Sequence, residues 1–208
     1  MNNKKKKLVM TLFWILSFTW ALPTTILGGL AALCLVVTGH KPKKWGPCWQ
    51  FPIANGYGLE MGLFFLSPKD YESKTLNGHE VGHQLQACFL LGPIQLFVVG
   101  IPSAMRFWLR EMKGYGKKVT FATAAYIVLV VIGIAICAVG AFTSVKLLLI
   151  IGAVLTVYFC ILGSWLLTVE TPKYKNDYYP PYDSVWFEGD ASKRGAKFIQ
   201  HYFPEYWK

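Results

Sequence analysis

The chain has 208 residues, of which 54% are hydrophobic and 16% aromatic, while only 15% are charged. Soluble domains carry roughly 25% charged residues and do not gather their apolar residues into long runs. This composition excludes a disordered chain and argues against a soluble globular domain. The formal net charge of +10 fits a membrane protein whose basic residues flank its apolar segments. Nucleic-acid binding is not predicted, because no basic helix or basic–aromatic surface stands apart from those segments.

A membrane anchor is predicted at the start of the chain, in residues 1–38. The basic cluster Lys4–Lys7 directly precedes an apolar run, Leu8–Val37. The run is too long for the apolar part of a signal peptide, and no small-residue cleavage site precedes the polar sequence that follows. Pro23 interrupts the run, so that it forms either a kinked single span or a short hairpin.

Two segments separate this anchor from the clearest membrane spans. Residues 39–75 are polar, and prolines make their first half irregular, while Gly58–Leu66 is predicted to form a strand. Residues 76–118 contain a helix from about Asn77, followed by an apolar stretch that two Gly/Pro breaks divide, at 92–93 and at 100–102. Such breaks predict a re-entrant or interfacial element rather than a straight span.

A transmembrane hairpin is predicted in residues 119–169. Val119–Thr143 and Val145–Val169 each supply the roughly 20 apolar residues that a bilayer requires, and they are joined by a very short connection. The tail, residues 170–208, is polar and aromatic, with a helix from about Ser184 to Tyr202. The fold class expected from these segments is an all-α polytopic membrane protein with a small strand-containing polar segment.

Residues 79–83 read His-Glu-Val-Gly-His and include two of the four histidines of the chain. On a helix, residues four apart lie on one face, so His79 and His83 can hold one zinc ion. The intervening Glu80 is then placed to act as general base toward a water molecule. Two alternatives remain: Asn77 and Glu80 also match a helix-capping box, and the histidines could be ordinary polar residues at a membrane interface.

A catalytic zinc ion requires a third protein ligand and an open position. Glu188 is the preferred candidate, because a helix there places it on one face with Ala191, Ser192 and Gly195, whose small size lets a second helix approach closely. Gln86 and Asp190 are candidates for orienting the ligands through hydrogen bonds. The alternatives are that Gln86 contacts substrate or is exposed at the membrane interface, and that Asp190 is a solvated surface residue. The other possible ligands are His40, Glu60, Glu111, Glu170 and His201.

The order of these elements resembles that of the integral-membrane zincin metallopeptidases, among them the HtpX-like proteases. In that family, too, apolar segments precede a His-Glu-x-x-His motif, and a transmembrane pair and a glutamate follow it. The resemblance implies a complete site made of His79, His83, Glu188 and the general base Glu80. The H-E-x-G-H form of the motif also looks like that of uncharacterised small bacterial membrane proteins. The glutamate-zincin pattern has Asp four residues after the glutamate, where this chain has Ser192.

These features predict a membrane-embedded zinc metallopeptidase that cleaves membrane-associated polypeptides, with zinc as its cofactor. The alternative is a non-enzymatic membrane subunit or anchor that binds a protein partner and keeps the motif as a structural site or a relic. Zinc bound in stoichiometric amount, and lost together with proteolysis, would distinguish the two functions.

The bilayer limits the topology, because one metal ion cannot take ligands from both sides of a layer roughly 30 Å thick. An even number of crossings must therefore separate His83 from Glu188. The basic flanks of the apolar segments predict that both the N-terminus and the C-terminus are cytoplasmic. The expected location is the bacterial inner membrane.

Overall fold

The computed structural model describes residues 3–70 and 72–207, which form a mostly helical protein with one small sheet. Contacts within the chain divide it into two compact units. Unit 1 consists of Met1–Ile101 together with Tyr182–Lys208, and unit 2 consists of Pro102–Pro181. The two ends of the chain therefore belong to the same unit, and the segment between them forms the other.

Unit 1 begins with two helices, α1 (Asn3–Ser17) and α2 (Leu22–Val37), whose axes differ by 82°. The predicted interruption is present, but it falls in the four residues before α2. Pro23 is the second residue of α2. Because the first N–H groups of a helix have no acceptor within it, proline costs no hydrogen bond there. The apolar run is therefore a sharply bent pair of helices, which by length and composition fits either a kinked span or a segment that turns back.

A four-stranded sheet follows, in the order β1-β2-β4-β3. β1 and β2 are antiparallel, β2 and β4 are parallel, and β4 and β3 are antiparallel. The strands are β1 (Lys43–Trp45), β2 (Cys48–Ala54), β3 (Leu59–Met61) and β4 (Phe64–Pro68). β3 is thus an edge strand, and it directly precedes β4 in the chain.

The prediction of one strand over Gly58–Leu66 was wrong, because the chain turns back within it. Gly62 has a φ of +67°, a conformation that glycine adopts without strain, and its N–H donates to the Glu60 carboxylate. The proline-rich half was also wrongly predicted to be irregular. Pro52 lies inside β2, where the pairing register shifts between Pro52 and Ala54, and such a bulge accommodates the missing N–H.

The helix that carries the motif is α3 (Lys74–Gln86). Its N-cap is Ser73, whose hydroxyl accepts a hydrogen bond from the N–H of Leu76 at 3.2 Å. Asn77 lies inside the helix, so the capping-box explanation of Glu80 was wrong. The helical path continues through π-helical and 3₁₀ turns from Ala87 to Gly100, with a φ of +54° at Gly92 and a bend of 108° between Ile94 and Leu96, and then becomes α4 (Ile101–Glu111). No break occurs at 100–102.

α7 (Trp186–Tyr202) packs directly on α3, which is the close approach that the small residues predict. A Cβ added to Gly82 would lie 2.0 Å from the carbonyl oxygen of Ala191, and one added to Gly195 would lie 1.7 Å from that of Gly78. Neither position has room for any side chain. This contact brings the C-terminal tail against the His-Glu-x-x-His motif.

The core of unit 1 joins α1, the sheet, α3 and α7. Its buried members include large aromatic side chains from α1 and the sheet, and small or aliphatic ones from α3 and α7: Phe13, Ala21, Trp45, Cys48, Leu63, Phe65, Val81, Leu85, Ala87, Cys88 and Ile199. Because this core fixes α3 against the sheet and α7 against α3, it determines where the motif side chains lie.

Unit 2 contains the predicted pair of long apolar helices, which is confirmed. They are α5 (Tyr115–Phe142) and α6 (Lys146–Trp165), and the helical path of α6 continues to Asn176. Both are long and apolar enough to cross a membrane. Cβ atoms added at Gly140 or Gly152 would lie 2.4 Å from a backbone nitrogen of the other helix. Glycine contacts of this kind are typical of helices that pack within a bilayer.

A buried ion pair lies beside this hairpin. The Nε of Arg106 donates to Glu170 at 2.6 Å, and neither side chain is exposed to solvent. Lys173 and Tyr174 also contact the Glu170 carboxylate, at 2.7 Å and 3.3 Å. Glu170, one of the possible zinc ligands, is therefore engaged in unit 2 and is not part of the histidine site.

Candidate metal centre

Three buried side chains of unit 1 converge on one point. The Nε2 atoms of His79 and His83 lie 3.0 Å apart, and each lies 3.1 Å from Oε2 of Glu188. The two histidines come from one face of α3, and Glu188 comes from the first turn of α7. Glu188 is fully buried, and each histidine is only 6% exposed. The group can hold a metal ion.

The second nitrogen of His79 is hydrogen-bonded to the hydroxyl of Ser192. Nδ1 lies 2.8 Å from Oγ of Ser192, and that hydroxyl donates its single proton to Asp183 at 2.9 Å. The Ser192 oxygen can then only accept, so Nδ1 of His79 carries the proton. In the neutral ring, Nε2 then presents its lone pair to the centre of the group.

His83 is oriented in the same way by Gln86. Nδ1 of His83 lies 2.9 Å from the Gln86 oxygen, and the Gln86 amide nitrogen donates to the Phe187 carbonyl at 2.7 Å and to Asp190 at 2.9 Å. Both amide protons of Gln86 are therefore used, and its oxygen must accept from Nδ1–H. Gln86 thus bonds directly to the His83 ring, and Asp190 bonds to Gln86.

Asp190 also accepts a hydrogen bond from Arg194 at 2.8 Å. This bond, with help from Gln86, holds the pKa of the Asp190 carboxyl below its usual value, although burial acts in the opposite direction. Asp190 therefore stays ionised and remains an acceptor for Gln86. The chain Arg194–Asp190–Gln86–His83 fixes the orientation of the His83 ring.

The two histidine tautomers have a direct consequence for the group. With both rings neutral, two imidazole lone pairs and one carboxylate oxygen meet at about 3 Å. Without a metal ion a proton takes this place: although burial lowers the pKa of His83, the hydrogen bond and charge of Glu188 raise it to about 9. Acceptors at this separation repel one another unless a cation lies among them. Neutral histidines with a protonated Nδ1 are also the form that binds metal ions, and hydrogen bonds from Nδ1 are the usual way in which proteins fix it.

Glu80 lies beside this group and is held by the sheet. It is 5% exposed, and its carboxylate accepts a hydrogen bond from the backbone N–H of Glu60 in β3. A Cβ added to Gly58 would overlap the Glu80 carboxylate. The short loop before β3 and β3 itself therefore position Glu80, which explains why this small sheet accompanies the motif.

The remaining possible ligands lie elsewhere among the described residues. Glu60 accepts from the N–H of Gly62 in the turn after β3, and burial raises the pKa of its carboxyl to about 7, against the opposing effect of His83. His40 and His201 are exposed, and Glu111 is exposed at the end of α4. None of them belongs to the group formed by His79, His83 and Glu188.

Two contacts of the site were missed by the sequence analysis. Asp183, which accepts from Ser192, lies nine residues earlier in the short 3₁₀ helix Tyr182–Ser184, so no spacing within α7 connects it to the motif. Tyr182 packs its ring edge-on against His79, with ring centres 5.7 Å apart. The only available signal was the abundance of tyrosine and proline just before α7, which does not single out one residue.

No protein-family model matches this chain, and neither a curated protein nor a solved structure matches it. The function is therefore inferred from the geometry of the site and from the physical properties of the chain.

Proposed function

We propose that the protein is a membrane-embedded zinc metallopeptidase that cleaves membrane-associated polypeptides. One observation carries this proposal: the Nε2 atoms of two histidines and a carboxylate converge beside a separate buried glutamate, Glu80. Two histidines and one glutamate form a common ligand set of catalytic zinc in hydrolases. Tetrahedral ligands at about 2.0–2.1 Å from a zinc ion lie roughly 3.3 Å from one another, close to the separations in this group.

The site provides both functions that peptide hydrolysis requires. When bound, zinc supplies Lewis acidity toward a peptide carbonyl and a water molecule. Glu80 accepts the proton of the attacking water and delivers it to the leaving amine nitrogen. Tyr182, whose ring packs edge-on against His79, is our candidate for a substrate contact. The hydrogen bonds of Ser192 and Gln86 keep both imidazoles aligned through this cycle.

The membrane-associated substrate is proposed from the character of the chain. The hairpin α5–α6 is apolar enough to span a bilayer, and the bent pair α1–α2 would add a further span if it crosses as one. A site carried by such a chain meets polypeptides that lie in or beside the same membrane. The expected organisation is polytopic, in the bacterial inner membrane.

Both ends of the chain are proposed to face the cytoplasm. The Nζ of Lys6 in α1 lies 4.4 Å from the ring centre of Phe203, just after α7, so both ends of unit 1 lie on the same side. Four consecutive lysines in α1 and the basic residues of α7 favour the cytoplasmic side for that surface.

Metal analysis of the purified chain tests the first part of the proposal. We expect about one zinc ion per chain in protein prepared without chelators, and its loss from the variant His79→Ala/His83→Ala. The matched control is His40→Ala/His201→Ala, which removes two exposed histidines and should keep the metal. A chain that binds no transition metal would show that the group holds only a proton, and the proposal would fail.

A second variant separates metal binding from catalysis. Glu80→Gln preserves the size of the side chain but removes the base, so zinc content should stay the same while hydrolysis falls by on the order of 10² or more. Cleavage of fluorescein-labelled casein by the detergent-solubilised protein provides the measurement. If the wild type binds zinc but neither it nor the variant cleaves any polypeptide, the alternative of a non-enzymatic membrane subunit is favoured.

A further inference from the structure

A groove of about 360 Å³ lies on unit 1, away from the three metal ligands. Volumes of roughly 300–1,000 Å³ are typical of sites for small molecules. Its apolar lining comes from α1, from α3 and the turn that follows it, and from α7, through Val9, Leu85, Phe89, Phe198 and Tyr202. Among these lining residues and the basic ones described next, Arg194 alone contacts the hydrogen-bond chain of the histidine site, through Asp190.

One wall of the groove is basic. Arg194, Lys197 and His201 line it at spacings of three and four residues, which place them along one face of α7. Asp190 is the acid that contacts this row, through Nε of Arg194, and 39% of the Arg194 side chain remains exposed. Across the groove, Lys5 lies one helical turn before Val9 on the same face of α1. The groove therefore combines an apolar floor with an excess of positive charge at its rim.

The apolar floor is continuous with surface that a membrane would cover. Leu8 and Leu12, which flank Val9 in α1, are 59% and 42% exposed. Phe89 and Leu90, in the turn after α3, are 42% and 47% exposed. Large apolar side chains with this much exposure, side by side, are what a lipid-facing surface requires. A ligand in the groove would thus have its apolar part next to lipid and its polar part against the basic rim.

We propose that this groove binds an anionic phospholipid, with an acyl chain along the apolar floor and the phosphate group against Arg194, Lys197 and His201. Basic residues beside membrane segments bind anionic headgroups. Here the basic rim lies next to an apolar floor that can hold an acyl chain. A soluble anion would use the rim but gain nothing from the floor. A neutral lipid would use the floor but gain little from the rim.

Native mass spectrometry of the full chain in neutral detergent tests this site. The probes are phosphatidylglycerol and phosphatidylcholine with identical acyl chains. We expect one phosphatidylglycerol bound per chain, with at least tenfold preference over phosphatidylcholine. Lys197→Glu should weaken this binding at least tenfold, whereas Lys69→Glu, the same change at an exposed lysine outside the groove, should alter it less than threefold. Val9→Trp fills the floor without changing any charge and should weaken binding at least fivefold.

Several results would overturn the proposal. Equal binding of the two lipids by the wild type would show that the anionic headgroup is not recognised. Equal effects of Lys197→Glu and Lys69→Glu, or unchanged binding in Val9→Trp, would show that lipid adsorbs without using the groove. Displacement of the lipid by 1 mM inorganic phosphate would identify a soluble anion as the ligand, and dimers that disappear in Val9→Trp would identify a second copy of the chain. If a variant fails to fold, the comparison of phosphatidylglycerol with phosphatidylcholine on the wild type still tests the proposal.

Discussion

At the scale of single residues, Ser192 and Asp183 together act as the hydrogen-bond acceptor for Nδ1 of His79. In many metal sites a single carboxylate has this role. The Ser192 hydroxyl accepts a hydrogen bond from Nδ1 of His79 and donates one to Asp183. Because the charge of Asp183 polarises the hydroxyl, the serine is a better acceptor than it would be alone. The Ser192 position, four residues after Glu188, therefore retains a function in orienting the ligand.

Ser192→Ala should weaken zinc binding by about 10-fold to 100-fold, the usual effect of removing a group that orients a metal ligand. Asp183→Asn should act in the same direction, since it removes the charge behind the hydroxyl. Competition with a chromogenic zinc chelator measures the affinity independently of activity. Ser192→Thr keeps the hydroxyl and is the control that should bind like the wild type. An unchanged affinity in Ser192→Ala would contradict the orienting role.

The buried pair of Arg106 and Glu170 leads to a prediction about stability. Glu170→Ala leaves the Arg106 guanidinium in the interior without its carboxylate, which typically costs about 3–5 kcal/mol. The midpoint of thermal unfolding in detergent should fall clearly below that of the wild type. Glu111 lies in the same helix as Arg106 but its carboxylate is exposed, so Glu111→Ala should change stability by no more than about 0.5 kcal/mol. Equal midpoints for the two variants would contradict the importance of the pair.

The residues that could be predicted from the sequence are those linked by a fixed helical spacing. His79, Glu80 and His83 share one helix turn, and Gln86 is the next residue on that face, so their proximity follows from the spacing alone. Asp183 lies in the short 3₁₀ helix before α7, and no spacing rule connects that position with the motif. Glu188 could be suggested only because small residues surround it, since its position depends on the packing of α7.

At the scale of elements, the packing of α3 on α7 assembles the site, and its glycines set the distance between these helices. Gly195→Ala should therefore push α7 away from α3, because the added Cβ would lie 1.7 Å from the Gly78 carbonyl oxygen. We expect less than half of the wild-type zinc content after purification. Gly29→Ala in α2 is the control, since nothing lies within 4 Å of a Cβ there. A Gly195→Ala protein with full zinc content would show that the helices can separate without losing the site.

The sheet was the element least accessible to sequence analysis. β3 has only three residues, and it is separated from β4 by a turn whose glycine also fits a continuous strand pattern. The parallel pairing of β2 with β4 links strands that are distant in the chain, and no local pattern encodes it. The long helices of unit 2 and the motif helix were predictable because their length and periodicity are local properties.

At the scale of the whole molecule, the proposed topology predicts which surfaces reagents can reach. In a variant whose exposed Cys34 is replaced by serine, a cysteine at Gly116 and one at Ser144 should react with a membrane-impermeant maleimide from opposite sides. These positions lie at opposite ends of α5, the 28-residue helix. Cysteines at Lys5 and Gln200 should both react from the cytoplasmic side. Labelling of Gly116 and Ser144 from the same side would rule out the transmembrane hairpin.

The division of unit 1 into two stretches of chain sets an order of events during biosynthesis. The motif helix α3 leaves the ribosome long before α7, and all of unit 2 is made between them. Until α7 has been translated and has packed on α3, the nascent chain offers only two histidines, a set that rarely holds zinc tightly. Under the proposed function, metal loading therefore waits until the whole apolar hairpin has been synthesised. A newly made chain would then acquire peptidase activity only after its last helix has packed on α3.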